Sequence, residues 1–299
     1  MKKQKTVSIK AKLLGVIIPV VIAIVVVLVV AAYQISAGTI KKYSQNLLQS
    51  SVENQASQIE AWLNENLASF QMAKTIIEDL KPSDEELKTI LDGYYGYNSN
   101  YPEGLYVADS TGQLITASES TKKESDVTNS TWYKEGLTRV NMAVGSAYQN
   151  ADGVNVISAS GILNDGSDKV RVISADMTLD RIAIIVNSFI EMNDAEAFLV
   201  DKTSGVILAN RDSSLISQTL GAEGQSHFYQ LTAEKAAEKD YNFATLDGNM
   251  TVFKEVNGTN WLLVSYVPTR VVLADLVGLR NLMIIFSIIS ILVLCVLIE

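Results

Sequence analysis

Apolar residues recur every three or four positions over some forty residues that follow an uncharged N-terminal run. This spacing predicts one long amphipathic helix, about 1.5 Å per residue and roughly 60 Å long. Its apolar face can pack along its own domain or form a dimer seam, and the pattern leaves both open. The positions are Ile40, Tyr43, Leu47, Val52, Ala56, Ile59, Leu63, Leu67, Phe70, Ala73, Ile77 and Leu80.

Lys81-Pro82 is expected to end this helix, because proline lacks a backbone donor and disfavours helical geometry in the residue before it. Ser83 and Glu86 then form a capping box for a short helix ending near Gly93. The tyrosine-rich segment 94–102 is predicted to be a loop, whose aromatic rings either cover a pocket or pack against the long helix.

From residue 104 the pattern changes to short strands. Residues 105–108 and 113–117 form a hairpin around an Asp-Ser-Thr-Gly turn, and a short helix opens at Trp132. Three more strands are expected near 143–149, 154–162 and 169–176, followed by a helix over 178–190. The acidic turn 164–168 lacks the ligand spacing of a calcium loop and is interpreted as a hairpin turn.

The same order of elements then recurs. We align residues 197–209 with 106–117, His227-Phe228-Tyr229 with the helix start at Trp132-Tyr133, Phe243 with Tyr148, and Val264–Thr269 with Ile173–Thr178 at an offset of 91. The pattern predicts two copies of one α/β unit, each an antiparallel sheet of about five strands with short helices, attached to the long N-terminal helix.

Two apolar runs flank this region. Leu13–Tyr33 and Leu282–Ile298 contain no charged residue and approach the length that crosses a bilayer. Five lysines precede the first run with no acidic residue, which predicts a cytoplasmic N-terminus and an exported central region. A cleaved signal peptide is the alternative for the first run, but that run is longer than usual for one.

These observations predict the following boundaries. A cytoplasmic N-terminus covers 1–12, a first span 13–33, an exported region 34–280 and a second span 281–299; within the exported region the long helix covers 34–80, a membrane-distal unit 81–190 and a membrane-proximal unit 191–280.

The charge of the exported region excludes one class of partner. Residues 34–280 hold 24 − 5 = 19 basic and 33 − 1 = 32 acidic side chains, a net charge of −13. This argues against binding to nucleic acid or to an anionic membrane surface. The one cysteine, Cys295, lies in the second apolar run, so no disulfide can brace the exported part.

Comparison of the two copies points to a binding site. The first copy has Tyr148 and Asp176 where our alignment gives the second Phe243 and Val267. A buried carboxylate without a partner is costly, and the second copy folds without one. We therefore expect Asp176 to be kept for a cationic or hydrogen-donating ligand; the alternative is that it caps the helix beginning near Thr178.

This arrangement resembles the double Cache sensor domain of bacterial chemoreceptors, a pair of PAS-like units on a long helix between two membrane spans. The resemblance covers about residues 34–280 and includes a Trp-Tyr pair at a helix start, a later tyrosine and an aspartate closing a strand. It implies a ligand site made of Trp132, Tyr133, Tyr148 and Asp176, to which we add Tyr106, Ser130 and Ser174.

The resemblance also shows a departure. In the amino-acid-sensing members, the tyrosine and aspartate hold the ligand's amino group, and an arginine two positions before the tryptophan holds its carboxylate. This chain has Ser130 there, which cannot replace a charged bidentate donor. We therefore expect an amine or a neutral nitrogenous molecule to be favoured over an ordinary α-amino acid.

The expected function is that of a sensor, not an enzyme. Motifs for nucleophilic, metal or phosphate chemistry are missing, no cofactor is expected, and His227 is interpreted as a helix-start residue. We expect a homodimeric, membrane-embedded chemoreceptor sensor region, truncated before its cytoplasmic output domain. The sensor of a histidine kinase or diguanylate cyclase, and a non-sensing adhesion spacer, are the alternatives.

Overall fold

The computed structural model describes residues 9–150, 153–188, 192 and 194–298. Lys2, Lys3 and Lys5, on which the cytoplasmic N-terminus was predicted, and residues 189–190 of the fourth predicted helix lie outside these ranges. The chain divides into two compact bodies, one of residues 48–266 and the other of residues 1–47 with 267–299.

Helix α1 (Ile9–Leu80) is the long predicted helix, and it ends where Lys81 adopts a positive φ of 50° before Pro82. Within the larger body one stripe of this helix is buried, which explains the three-and-four spacing. The stripe consists of Leu48, Val52, Ala56, Ile59, Leu63, Phe70, Ala73 and Ile77.

Side chains of α1 also bind both α/β units through hydrogen bonds. The Gln71 side-chain oxygen accepts a bond of 2.8 Å from the backbone N–H of Met142 in the first unit. Glu60 accepts one of 2.7 Å from the N–H of Asn257 in the second unit. One face of the helix therefore packs along its own domain, while the dimer seam stays a prediction.

The first unit is a five-stranded antiparallel sheet in the order β2-β1-β5-β4-β3. A short helix α2 (Asp84–Asp92) precedes it, and both bonds of the predicted capping box between Ser83 and Glu86 are present. The remaining elements are β1 (Leu105–Asp109), β2 (Leu114–Ile115), α3 (Thr131–Gly136), β3 (Ala143–Gln149), β4 (Asn155–Leu163), β5 (Arg171–Thr178) and α4 (Asp180–Asn187).

The second unit repeats this sheet in the order β7-β6-β10-β9-β8. Its elements are β6 (Glu196–Asp201), β7 (Ile207–Asn210), α5 (His227–Ala237), β8 (Ala244–Leu246), β9 (Asn249–Val256) and β10 (Trp261–Pro268). His227 begins α5, as predicted. The tandem arrangement of two five-stranded antiparallel sheets with short helices on one long helix is therefore confirmed.

The side of the sheet on which each residue packs corrects our alignment of the two copies by one residue. Tyr106 packs with Trp132 of the short helix, and Phe198 packs with Phe228 of its counterpart, so Phe198 and not Ala197 stands where Tyr106 stands. Because Tyr106 pairs with Ser174 and Phe198 with Val264, Tyr266 stands where Asp176 stands, at an offset of 90, and the match to Val267 was wrong. One residue matters because neighbouring strand positions face opposite sides of the sheet.

The smaller body contains the apolar runs. Helix α6 (Thr269–Val272) is followed by α7 (Ala274–Ile298). Both α1 and α7 contain segments long and apolar enough to cross a membrane, as the hydropathy pattern predicted.

Candidate ligand-binding site

The carboxylate of Asp176, near the end of β5, is the centre of a buried polar cluster. One of its oxygens accepts hydrogen bonds from the hydroxyls of Tyr106 at 2.5 Å, Tyr148 at 2.8 Å and Ser158 at 2.5 Å. Strands β1, β3 and β4 each supply one of these hydroxyls, so the sheet itself positions them. The cluster is a set of rigidly held donors around one charge.

The other oxygen of Asp176 accepts from Lys122. The two charged atoms are 2.6 Å apart, and the two side chains are only 9% and 8% exposed. The same ammonium lies 4.2 Å from the ring centre of Tyr106, within the range of a cation–π interaction. An ammonium group thus already occupies the free side of the carboxylate.

Burial, followed by the negative charge of Asp176, raises the pKa values of the Tyr106 and Tyr148 hydroxyls above that of an ordinary phenol. Both groups therefore stay protonated at physiological pH and act as donors to the carboxylate. The cluster can therefore neutralise and orient a cation.

A cavity of about 220 Å³ opens beside this cluster. It is smaller than the roughly 300–1,000 Å³ of sites for drug-sized ligands, so it suits a small molecule. Its walls carry charges of both signs and an apolar patch, formed by Lys122, Lys123, Glu103, Asp176, Pro102 and Val156.

Trp132 forms the inner wall of the cluster rather than a surface of the cavity. It is fully buried, its ring meets Tyr106 edge-to-face at 4.9 Å, and its indole N–H donates to Glu124 at 2.9 Å. Burial raises the pKa of Glu124, while the bond from Trp132 and the charge of Lys122 oppose that rise. Trp132 thus positions Tyr106 from behind.

The other predicted site residues lie around this core without touching Asp176. Tyr133 is buried, and its ring centre lies 5.8 Å from that of Trp132. Burial raises the pKa of the Tyr133 hydroxyl, and the negative charge of Asp109 raises it further. Ser130 precedes α3 and donates to the carbonyl of Val127. Ser174 is buried and donates to the carbonyl of Ala159.

Sequence reasoning missed Lys122 and Ser158. Lys122 belongs to a segment that appeared only polar, although a Lys-Lys pair is conspicuous in a region of net charge −13. Ser158 and Ser160 alternate along β4, a spacing that places both on one face of the sheet. That alternation was the available signal for Ser158.

The alternative role of Asp176, as a helix cap, does not match its contacts. Helix α4 begins at Asp180, its capping position is Leu179, and no side-chain cap bond forms there. The bonds of Asp176 go to Tyr106, Tyr148, Ser158 and Lys122 instead.

The equivalent place in the second unit is filled. Tyr266 donates to Glu196 at 2.6 Å, and its ring packs 4.4 Å from Phe228 and 6.4 Å from Phe198, which replaces Tyr106. Phe243, aligned above with Tyr148, lies just before β8 and is 36% exposed. The ring of Tyr266 therefore lies where the first unit has the carboxylate of Asp176, and its hydroxyl bonds to Glu196 instead of to a central aspartate.

Comparison with known proteins identifies the fold. Residues 32–276 match the model of the Cache domain family. No curated protein sequence matches the chain. Solved structures that superpose on it include the ligand-binding domain of the Pseudomonas fluorescens chemoreceptor CtaA with L-isoleucine, with a TM-score of 0.63 and 20% identity over 80% of this chain and 98% of that one.

Two further domains superpose similarly. The ligand-binding domain of Mlp24 with asparagine gives a TM-score of 0.64 at 17% identity, covering 79% of this chain and 98% of that one. The Pseudomonas aeruginosa chemoreceptor PctC domain with GABA gives 0.59 at 20% identity, covering 75% and 99%.

These relatives hold amino acids, which contradicts our preference for an amine without a carboxylate over an amino acid. The missing arginine at Ser130 was a poor guide, because Lys122 and Lys123 bring other cations to the same cavity. The extent of the family match, the paired sheets and the two apolar helices agree with one another. The chain belongs to the Cache domain family.

Proposed function

We propose that the first α/β unit binds a small extracellular amino acid at Asp176 and that the chain transmits this event across the membrane. The observation that carries the proposal is the buried carboxylate of Asp176, surrounded by three hydroxyl donors at the wall of a small cavity. In this proposal the first unit is the membrane-distal one and the N-terminus is cytoplasmic.

The energetics of Asp176 support a binding role. Burying a carboxylate costs several kcal/mol even after relaxation, and a sheet of the same order and register forms in the second unit with Tyr266 in its place. Fold stability alone therefore does not call for this charge. The ammonium of a ligand does call for it, since Asp176 presents an anionic oxygen and Tyr106 presents the face of its ring at the place where the Lys122 ammonium lies.

The charges on the cavity wall support a zwitterion. Asp176 and Glu103 offer negative charge, and Lys122 and Lys123 offer positive charge within the same small space. An α-amino acid brings one charge of each sign and a side chain for the apolar patch that includes Val156.

Signalling requires that the ligand bind two arrangements of the receptor with different affinity. We propose that the change reaches α7 and moves it against the first span in a homodimer, and that a cytoplasmic output domain responds.

A thermal-shift assay on the full chain in lipid nanodiscs tests the proposal, with the twenty proteinogenic L-amino acids as probes. A ligand at 100 times its dissociation constant stabilises the folded state by about 2.7 kcal/mol. We expect at least one amino acid to stabilise the wild type and not Asp176→Asn.

Asp109→Asn is the matched control, because Asp109 is a buried, lysine-paired carboxylate in the same sheet outside the cavity. It should keep the shift that the wild type shows. Binding that survives in Asp176→Asn, or the absence of any stabilising amino acid, would refute the proposal.

A further inference from the structure

In the structure the ammonium of Lys122 occupies the place on Asp176 that the proposed function gives to the ligand. We propose that Lys122 determines the specificity of the site: it fills the ammonium position while the site is empty, and moves to the ligand's carboxylate when an amino acid binds. This inference rests on the proposed function and adds the residue that selects zwitterions.

The contacts of Lys122 are those expected of a bound ammonium ligand. Its Nζ atom donates to Asp176 at 2.6 Å and lies over the ring of Tyr106 at 4.2 Å. Its side chain is 9% exposed, so the charge is almost completely removed from water. A buried charge of this kind leaves its partner only when another cation takes its place.

The segment that carries Lys122 is not part of the sheet. Residues 116–126 contain no helix or strand. Side chains hold the segment: Ser118 binds Asp92, Ser120 binds Glu103, and Trp132 binds Glu124. Lysine itself is a flexible four-carbon stem with a point charge, which suits a group that exchanges partners.

The exchange explains which ligands the site accepts. An amine without a carboxylate would displace the Lys122 ammonium from Asp176 and bring that ammonium, which lies beside Lys123, no new counter-ion. A carboxylic acid without an amine would leave Lys122 on Asp176 and could use only Lys123 as its cation. An amino acid satisfies both groups, because its ammonium replaces Lys122 and its carboxylate pairs with the displaced lysine.

The test compares the full chain and its variants in nanodiscs against matched probes. The probes are the L-amino acids, n-butylamine, which copies the end of a lysine side chain, and butyrate. Lys122→Met removes the ammonium and keeps the stem, Lys122→Gln is a second variant that can still donate to Asp176, and Lys123→Met is the matched control in the same cavity.

We expect n-butylamine to stabilise Lys122→Met but neither the wild type nor Lys123→Met. In the double variant that combines Lys122→Met with Asp176→Asn, this stabilisation should vanish. The preference for an amino acid over the amine, measured as a ratio of dissociation constants, should fall by about tenfold or more in both Lys122 variants.

The outcomes separate this inference from the proposed function. Equal binding of n-butylamine to the wild type and Lys122→Met, or an unchanged preference in the Lys122 variants, overturns the role of Lys122. A third outcome is that n-butylamine binds Lys122→Met through Asp176 while no amino acid binds the wild type. This outcome supports the placement of Lys122 in the ammonium position and refutes the amino acid as ligand.

Discussion

Lys122 and Asp176 form a buried ion pair across 54 residues of sequence, and both residues line the cavity of about 220 Å³ beside the polar cluster of the first unit. Double-mutant analysis can measure their coupling. Because each single substitution leaves a buried charge unpaired, Lys122→Met and Asp176→Asn should each destabilise the fold, and the double variant by less than their sum. We expect a coupling free energy of about 1–3 kcal/mol from urea unfolding followed by tryptophan fluorescence. Additive losses would mean that the pair contributes nothing.

The two equivalent aromatic positions should behave differently. Tyr106→Phe removes a donor to Asp176, so it should weaken amino acid binding severalfold in the thermal-shift assay. Tyr266→Phe removes a bond to Glu196 and should cost only about 0.5–1.5 kcal/mol of stability, with binding unchanged. A ligand response that is lost equally in both variants would contradict the assignment of the site to the first unit.

Glu124 should make stability depend on pH. Burial raises its folded-state pKa above the ordinary 4.5, so the folded state holds its proton more tightly than the unfolded state. The resulting destabilisation is absent well below pH 4.5, grows as pH rises through the folded pKa and is constant above it. Glu124→Gln retains an acceptor for Trp132 and should therefore melt at a higher temperature than the wild type at pH 7. Melting curves from pH 4 to pH 8 should show the gap closing toward low pH; a gap independent of pH would contradict this account.

Gln55 joins α1 to the end of α4. Its amide nitrogen lies 3.2 Å from the carbonyl oxygens of both Ile185 and Val186 in the last turn of that helix, and the Ile185 oxygen also accepts from Ser188. Gln55→Ala should cost about 1–3 kcal/mol in urea unfolding, because the buried carbonyl of Val186 loses this donor. Gln58→Ala, an exposed position one turn away, should stay within about 0.5 kcal/mol of the wild type. Equal losses of unfolding free energy in the two variants would show that the hydrogen bonds of Gln55 do not stabilise the fold.

The proposed orientation can be tested by cysteine labelling in a Cys295→Ser background. Ser110 is exposed on the first unit, so Ser110→Cys should react with a membrane-impermeant maleimide in intact cells. Lys3→Cys should react only after permeabilisation, because the lysine-rich N-terminus is proposed to be cytoplasmic. The reverse pattern would invert the topology.

The sequence predicted the elements well because each has a local cause. Each of these causes depends on residues only a few positions apart. Examples are the three-and-four spacing on α1, the proline that follows it and the Ser83 capping box. The alignment of Asp176 failed because the copies differ in length between their strands, and only the side of the sheet on which each residue packs reveals the shift. Strand β1 differs from β6 by 92 positions, whereas β5 differs from β10 by 90.

The site was less predictable for the same reason. Asp176 and Tyr148 were predicted because they differ between the copies and match the pattern of a family. Lys122 lies outside the helices and strands and matches no residue of the family's motif. Its role depends on a contact with Asp176, which is 54 positions away. No local rule of sequence connects such a pair.

The way in which residues 116–126 are attached has a consequence for access. Backbone amides that are not part of a ladder exchange their hydrogens through small local openings, whereas those of β4 and β5 must await larger ones. The part of the cavity wall that Lys122 and Lys123 form should therefore open far more often than strands β4 and β5 unfold. A ligand can then enter and leave as often as this segment opens, while the hydroxyls of Tyr106, Tyr148 and Ser158 keep their positions around Asp176.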